Sequence, residues 1–326
     1  MLSPQVAFIP DTRHSKANQP AVLHIMSDQP TSPYNLVPEV ALLTSLPEHL
    51  QKRFTRALEI MHQDYSEGLT WEAVAEQSAI SPFHFHRQFT QLFHETPGQY
   101  LGRIRLQFAV SLLLETPSKK ITEIALKTGF SSSQALAKAL RRQLGTNAKV
   151  IRHLAHTGTP DQTTELLTRL AHPSTEQAIE FQLADNLPCK LIRFPERYLK
   201  PRPVPDFEWE TLCEKLGQKV TRLVCLAPVA ELDQPWHAIP YRVGEWVSNA
   251  AQGNCTVKAG NYLCCEVSVA SDIGYLTAQA GLFDYAEKHN LPIDPEGYHI
   301  EMIREVELTA TGSATFTMQI PILTKA

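Results

Sequence analysis

The feature that most constrains this chain is a pattern written twice between Gly68 and Leu154. The first copy reads GLTWEAVAEQSAISPFHFHRQFTQLF and the second ITEIALKTGFSSSQALAKALRRQLG. Each opens on a short apolar-periodic helix, marked by Trp71, Val74 and Ala75 and then by Ile121, Ile124 and Ala125. A tight break follows, at Ala79–Ser81 and at Gly129–Ser131, and a second helix carries polar and basic residues over Ser81–Phe93 and Ser132–Leu144. Short helix, break and second helix make a helix-turn-helix, so the chain is expected to hold two of them.

The faces of the second helices can be assigned from spacing. In the first copy Ser81 is a good N-cap and Pro82 fits the first helical position, where its missing N–H costs nothing. Phe85, Phe89 and Leu92 form the inner stripe and leave Phe83, His86, Arg87 and Gln91 outside. In the second copy Gly129 suits the left-handed residue that ends the preceding helix. Leu136, Leu140 and Leu144 point inward, leaving Gln134, Ala135, Lys138, Arg141 and Arg142 outside. A face of Gln, Lys and Arg can hydrogen-bond base edges and phosphates in a major groove. Gln134 has a second use, because Ser131-x-x-Gln134 fits a capping box. Between the copies, Pro97–Glu115 reads as one connecting helix with Tyr100, Leu101, Ile104, Phe108, Leu112 and Leu113 buried. A stiff connector would hold two reading helices about one turn of duplex apart, ~34 Å.

These motifs, IALKTGFSSSQALAKALRRQLG above all, resemble the DNA-binding domain of the AraC/XylS family of transcription regulators over about 105 residues. The resemblance implies an all-α, homeodomain-like double helix-turn-helix that reads two adjacent major-groove segments of double-stranded promoter DNA. Carried over by position, Phe83, His86 and Arg87 would read bases in the first unit and Gln134, Ala135 and Lys138 in the second; Arg141 and Arg142, on the same outward face, are further DNA-binding candidates. His94 and Leu140 depart from the usual Gly and Phe, and the Pro that normally follows the last Gly is absent from Gly145-Thr146-Asn147-Ala148. One chain holds both units, so a monomer suffices in principle, and RNA polymerase is the protein partner expected of such a regulator.

Charge follows the same division. Residues 47–155 hold 14 Lys and Arg against 9 Asp and Glu, net +5, whereas residues 156–326 hold 14 against 22, net −8. A basic half suits phosphates and an acidic half suits a different partner. Nothing reads as a secretory signal or a membrane span, which places the chain in the cytoplasm. The cysteines, Cys189, Cys213, Cys225, Cys255, Cys264 and Cys265, form no C-x-x-C pair. They are expected to be small buried hydrophobes of a reducing compartment, with no metal and no cofactor.

Outside the repeated units, residues 1–46 are Pro-rich and aperiodic and read as a flexible tail. A first helix is expected over Leu46–Tyr65 and a polar linker over 156–177, with a short helix at Thr164–Ala171. Residues 178–326 read as α+β: two strands over 178–194, a helix over Phe207–Leu216, strands over Arg222–Val229, Tyr241–Val247, Cys255–Val257 and Tyr262–Val269, a helix over Gly274–His289, and strands over His299–Leu308 and Ala314–Ile322. Strand, helix, strand, strand thus occurs twice, and two pseudo-symmetric units would leave a cleft between them.

Lys258-Ala-Gly-Asn-Tyr262, GYHIEMI and QIPI give this half a resemblance to the GyrI-like effector-binding domain. That resemblance implies a small-molecule effector, lipophilic or cationic, bound against aromatic rings and an acidic residue. The candidates are Trp209, Tyr241, Trp246, Tyr262 and Glu301, with Phe283, Tyr298 and Glu245 behind them. Each aromatic also fits an ordinary core position, and Glu301 a surface ion pair. No phosphate loop, G-x-S-x-G or H-E-x-x-H occurs, so the chain does not read as an enzyme. The competing reading is a small-molecule hydrolase or sequestering domain tethered to DNA, with Glu245 beside Trp246 as the base.

Overall fold

The computed structural model describes residues 32–63, 68–116, 118–203, 216–306 and 313–323. Residues 207–215 of the expected helix, and with them Trp209 and Cys213, lie outside these, as do residues 1–31.

Among the described residues eight helices build the N-terminal half: α1 (Pro38–Leu43), α2 (Glu48–Gln63), α3 (Trp71–Gln77), α4 (Pro82–Phe93), α5 (Pro97–Glu115), α6 (Ile121–Lys127), α7 (Ser133–Leu144) and α8 (Ala148–Thr157). The two copies match in detail. Ser78 and Thr128 each bond their hydroxyls back to the carbonyl four residues earlier, on Val74 and Ile124, both at 2.8 Å. Ala79 and Gly129 then adopt left-handed backbone, φ 56° and 77°. Ile80 N donates to Ala75 O (3.0 Å) and Phe130 N to Ala125 O (2.9 Å), closing the same helix stop in both units. His94 (φ 57°) and Gly145 (φ 65°) end the two second helices in the same conformation, so the absence of Gly at position 94 leaves the exit geometry unchanged. Arg53 secures the first stop by donating to Ala79 O at 3.1 Å.

An alanine in this conformation is strained and a glycine is not. Ala79→Gly is expected to raise stability by about 0.5–1 kcal/mol, because relief of Cβ strain outweighs the larger entropy of the unfolded glycine. Gly129→Ala should lower stability by about 1 kcal/mol. Urea unfolding of both variants checks the pair, and equal signs would contradict the shared geometry.

Helix α5 belongs to two cores. A Thr96–Gln99 capping box with Pro97 in the first turn starts it. Tyr100, Leu101 and Ile104 pack with Phe54, Phe85, Phe89 and Phe93 in a core confined to the first unit. In that unit Phe93 takes the inner position assigned to Leu92, which is only half-buried. Leu106 to Leu114 join a second core with Leu136, Leu140 and Leu144 of α7, and that core continues into the C-terminal half through Ile273, Tyr275 and Phe316. Buried residues therefore ring the second half of α5, as expected of a helix enclosed on several sides.

Residues 156–177 are packed rather than a bare linker. Helix α9 (Pro160–Thr168) opens with a Thr159–Gln162 capping box, and Thr163, Leu167, Leu170 and His172 are buried. Part of the expected tail is also structured. Tyr34–Asn35 forms β1, which adds parallel to β7 (Gly260–Val269), and Leu36 and Val37 are buried beside it. The first of the two strands expected over 178–194 is instead helix α10 (Ile179–Ala184).

The remaining strands are β2 (Lys190–Phe194), β3 (Arg197–Pro201), β4 (Val224–Pro228), β5 (Arg242–Val247), β6 (Cys255–Val257), β8 (Tyr298–Val306) and β9 (Ala314–Ile322); helix α11 spans Asp272–Lys288. Among the described residues they form one nine-stranded sheet in the order β1-β7-β9-β8-β4-β5-β3-β6, with β2 on β7. The inner order β7-β9-β8 | β4-β5-β3 mirrors itself about the β4–β8 pair, where Cys225 lies opposite Glu301. Cys264 and Cys265 face opposite sides, one in each of two cores, and Cys225 and Cys255 are also buried.

Candidate functional site

The reading faces can be built up from α4 and α7. Phe85, Phe89 and Phe93 fix one edge of α4, so the opposite edge is open to solvent: Phe83 is 78% exposed, and Arg87 and Gln91 are exposed. His86 is half-buried, with its ring edge-on to Trp71 at 5.2 Å, which fixes its direction. On α7, Gln134, Lys138, Arg141 and Arg142 are exposed and Ala135 is half-buried. The N-cap is Ser132, whose Oγ accepts from Ala135 N at 3.2 Å. The box proposed from Ser131 is therefore out of register, and the Gln134 side chain is not spent on a helix cap. Its Oε1 accepts instead from Ser133 Oγ at 3.4 Å. Arg141 Nε donates to Ala137 O at 3.3 Å, which lays that guanidinium along its own helix.

A cavity of about 360 Å³ lies where the sheet, α11 and the ends of α5 and α9 meet. Its floor is the mirror line of the sheet, with Cys225 and Glu301, and α11 contributes Asp272, Tyr275 and Leu276. The segment before β5 adds Trp236, His237 and Tyr241, and the ends of α5 and α9 close it with Leu114, Glu115 and Leu167. Three carboxylates and three aromatic rings line this space, and among the described residues no Lys or Arg does.

Glu301 is held in place by Tyr275, whose hydroxyl donates to Oε1 at 2.5 Å, and His299 Nδ1 lies 3.5 Å from the same oxygen. Burial lowers the His299 pKa and outweighs the pull of Glu301, so a neutral imidazole stands beside that carboxylate. Burial, and next the Glu301 charge, keep the Tyr241 and Tyr275 phenols protonated far above their usual range.

Of the side chains picked from the sequence for the ligand, Tyr241 and Glu301 line this cavity. Trp246 and Tyr262 do not. They sit in the core on the other face of the sheet, where the Trp246 indole N–H meets Met302 Sδ at 3.4 Å and both rings flank Arg197. The reason is strand alternation, which sends neighbouring residues to opposite faces. Glu245 is paired with Arg202 at 3.1 Å and does not line this cavity. Asp272, Tyr275 and Trp236 were not foreseen. Asp272 precedes the helix expected over Gly274–His289, and the segment around Trp236 carries no periodicity.

A second polar centre joins the halves. Glu39 of α1 accepts from the Tyr100 hydroxyl (2.7 Å) and lies 2.8 Å from His172 Nε2, while His172 Nδ1 lies 2.7 Å from Glu180 of α10. Arg103, next to it, pairs with Glu95 at 2.6 Å and donates to Leu170 O. All of these side chains are buried. No group of His, Cys, Asp and Glu suited to a metal ion occurs among the described residues, and none of their helices is long and apolar enough to cross a membrane.

Residues 74–153 match the family described as a helix-turn-helix domain. The HTH-type transcriptional activator RhaS of Escherichia coli O139:H28 is 34% identical over 112 residues, a span of 33% of this chain and 40% of that protein. The match thus covers less than half the length of this relative. The DNA-binding domain of AdpA, solved in complex with a target DNA, is similar over 36% of this chain and 91% of that one, at 30% identity and a TM-score of 0.27. The structure of SAV2435 bound to tetraphenylphosphonium is similar over 41% of this chain and 93% of that one, at 12% identity and a TM-score of 0.29. At those TM-scores neither structural likeness identifies a shared function.

Proposed function

We propose that this chain, which carries a helix-turn-helix domain matched over residues 74–153, is an AraC-type DNA-binding transcription regulator that reads two adjacent major-groove segments and answers to a small-molecule effector. The observation that carries the DNA reading is the duplicated geometry: two helices with the same left-handed stops, each presenting an exposed basic face, joined by a nineteen-residue helix. Phe83 fits apolar contact with a thymine methyl, and Arg87, Gln134 and Lys138 fit base edges. Arg141 and Arg142, in the last turn of α7, suit phosphates. RNA polymerase remains the protein partner that such a regulator would meet at a promoter.

Selection from a random duplex pool should enrich one sequence with two separated blocks of preference. The affinity for it should fall steeply with salt, with log K declining by about 0.9 per unit log salt for each neutralised phosphate. A pool that enriches nothing would sink the DNA reading.

For the effector, the cavity supports a lipophilic cation. Its carboxylates supply charge, its rings supply cation–π and apolar contact, and among the described residues no Lys or Arg of the lining competes. Tetraphenylphosphonium is expected to raise the unfolding temperature of the full chain, because a ligand bound to the folded state adds stability. Tetraphenylborate, of the same shape and opposite charge, should not. Glu301→Gln should lose most of the shift.

A further inference from the structure

The cavity is not enclosed by the sheet region alone. Leu114 and Glu115 are the last two residues of α5, and Leu167 lies in the last turn of α9. One turn before Leu114, the buried Ser111 donates its hydroxyl to Asp272 Oδ2 on α11. The other oxygen of that carboxylate, Oδ1, is out of contact with solvent and has no hydrogen-bond partner, although Asp272 lines the cavity. Trp236, on the opposite wall, is tied to the helical side as well: its indole N–H donates to Thr163 Oγ1 at 2.9 Å and its backbone N–H to Gly158 O at 3.0 Å.

Resting on the effector reading above, we propose that Asp272 is a second ligand-binding carboxylate of this cavity, and that a cation held between Asp272 and Glu301 clamps the end of α5 against the sheet region. A ligand that touches walls from both halves is bound fully only when the halves are docked. By linkage it favours the docked arrangement to the same extent that docking favours the ligand. With Oδ1 unpartnered, the Asp272 charge is left uncompensated, and a cation in the cavity offsets it through space while Oδ2 keeps its bond to Ser111, so occupancy adds to the tie between the halves. Burial pushes Asp272 up to about 6, the Ser111 bond pulling the other way, and a cation beside the buried charge relieves that cost. The consequence reaches the reading faces. The second half of α5 shares its core with Leu136, Leu140 and Leu144 of α7, whereas α4 packs in a separate core. Clamping the last turns of α5 therefore fixes the second reading helix relative to the sheet.

The test uses the full chain, tetraphenylphosphonium as the probe, and two measurements. Titration calorimetry compares the wild type with Asp272→Asn, which keeps an oxygen for Ser111 and removes the charge, and with Glu301→Gln. Both substitutions are expected to weaken binding at least about tenfold, since each leaves the ligand charge short of a buried partner. Hydrogen exchange then follows the amides of the last turn of α5 and of α9, which the probe should protect in the wild type. Weakening by Glu301→Gln with unchanged binding in Asp272→Asn, or binding without added protection of α5, overturns the clamp and leaves the effector cavity standing. No binding to the wild type, or full binding in Glu301→Gln, overturns the effector reading and the clamp with it. If Asp272→Asn does not fold, Ser111→Ala takes its place. It leaves the charge and removes the tie, so it should reduce the protection of α5 by the probe, and full protection there overturns the proposal.

Discussion

His172→Ala is expected to cost about 3–5 kcal/mol of folding stability, because removing one partner of a buried ion pair strands the other charge. Here it strands two. Glu39 and Glu180 are buried, and each lies within hydrogen-bond distance of one ring nitrogen of His172. Burial alone would raise both carboxyl pKa values, yet His172 holds them low, Glu39 well below the usual carboxylate range. In return the two acids outweigh burial and Arg103, and push His172 up to about 9.

The pH dependence follows in sign. The His172 contribution is complete below the unfolded histidine value of about 6.5 and is lost as pH rises through about 9. The carboxylate contribution is present above the unfolded glutamate value and is lost as pH falls. Urea unfolding across pH should therefore show stability falling on both sides of a plateau, and His172→Ala should flatten the alkaline side. The combined replacement Glu39→Met, His172→Leu, Glu180→Leu is expected to cost less than His172→Ala alone, since the only charges left buried there, Arg103 and Glu95, are paired with each other. The reverse order would contradict this account of the network.

The second large effect falls on DNA. Arg87→Ala and Lys138→Ala are each expected to weaken binding to the selected site by about 1–3 kcal/mol and to relax sequence preference in one block only. The residues lie on different helices that pack in different cores, so the double variant should lose close to the sum. Arg142→Ala should instead weaken all sequences alike and reduce the salt slope by about 1. Anisotropy titrations against the selected site and against one with scrambled blocks separate the two behaviours. Unchanged affinity in both Arg87→Ala and Lys138→Ala would remove the assigned reading faces.

The reading half was legible because helix periodicity and its stops are local. Val74, Phe85, Leu136 and Leu140 recur at helical spacing, and Gly129 announces a left-handed turn that the structure contains. Ala79 and His94 adopt the same turn without announcing it, since only tertiary context holds a non-glycine there. Elsewhere the local pattern was ambiguous. The run IEFQLA alternates apolar and polar residues as a strand does, yet Glu180 is turned to His172, and Ala184 with Leu187 closes on Gly281 of α11, where a Cβ would lie 2.8 Å from Leu187 Cδ1. Pro-rich composition across the first 46 residues hid YNLVPEVALL, whose Leu36, Val37 and Glu39 are buried. Glu301 and Tyr241 could be picked for the pocket, but not Asp272, Tyr275 or Trp236 beside them. The cavity is assembled from α5, α9, α11 and the sheet, and no spacing in the sequence encodes their meeting.

All of this depends on α5 acting as a rigid spacer between two reading helices, one packed in each core. Hydroxyl-radical footprinting of the full chain on its selected duplex tests that most directly. The account predicts two protected stretches on one face of the duplex, about one helical turn or ~34 Å apart. A single short patch of protection, or two patches on opposite faces, would contradict it.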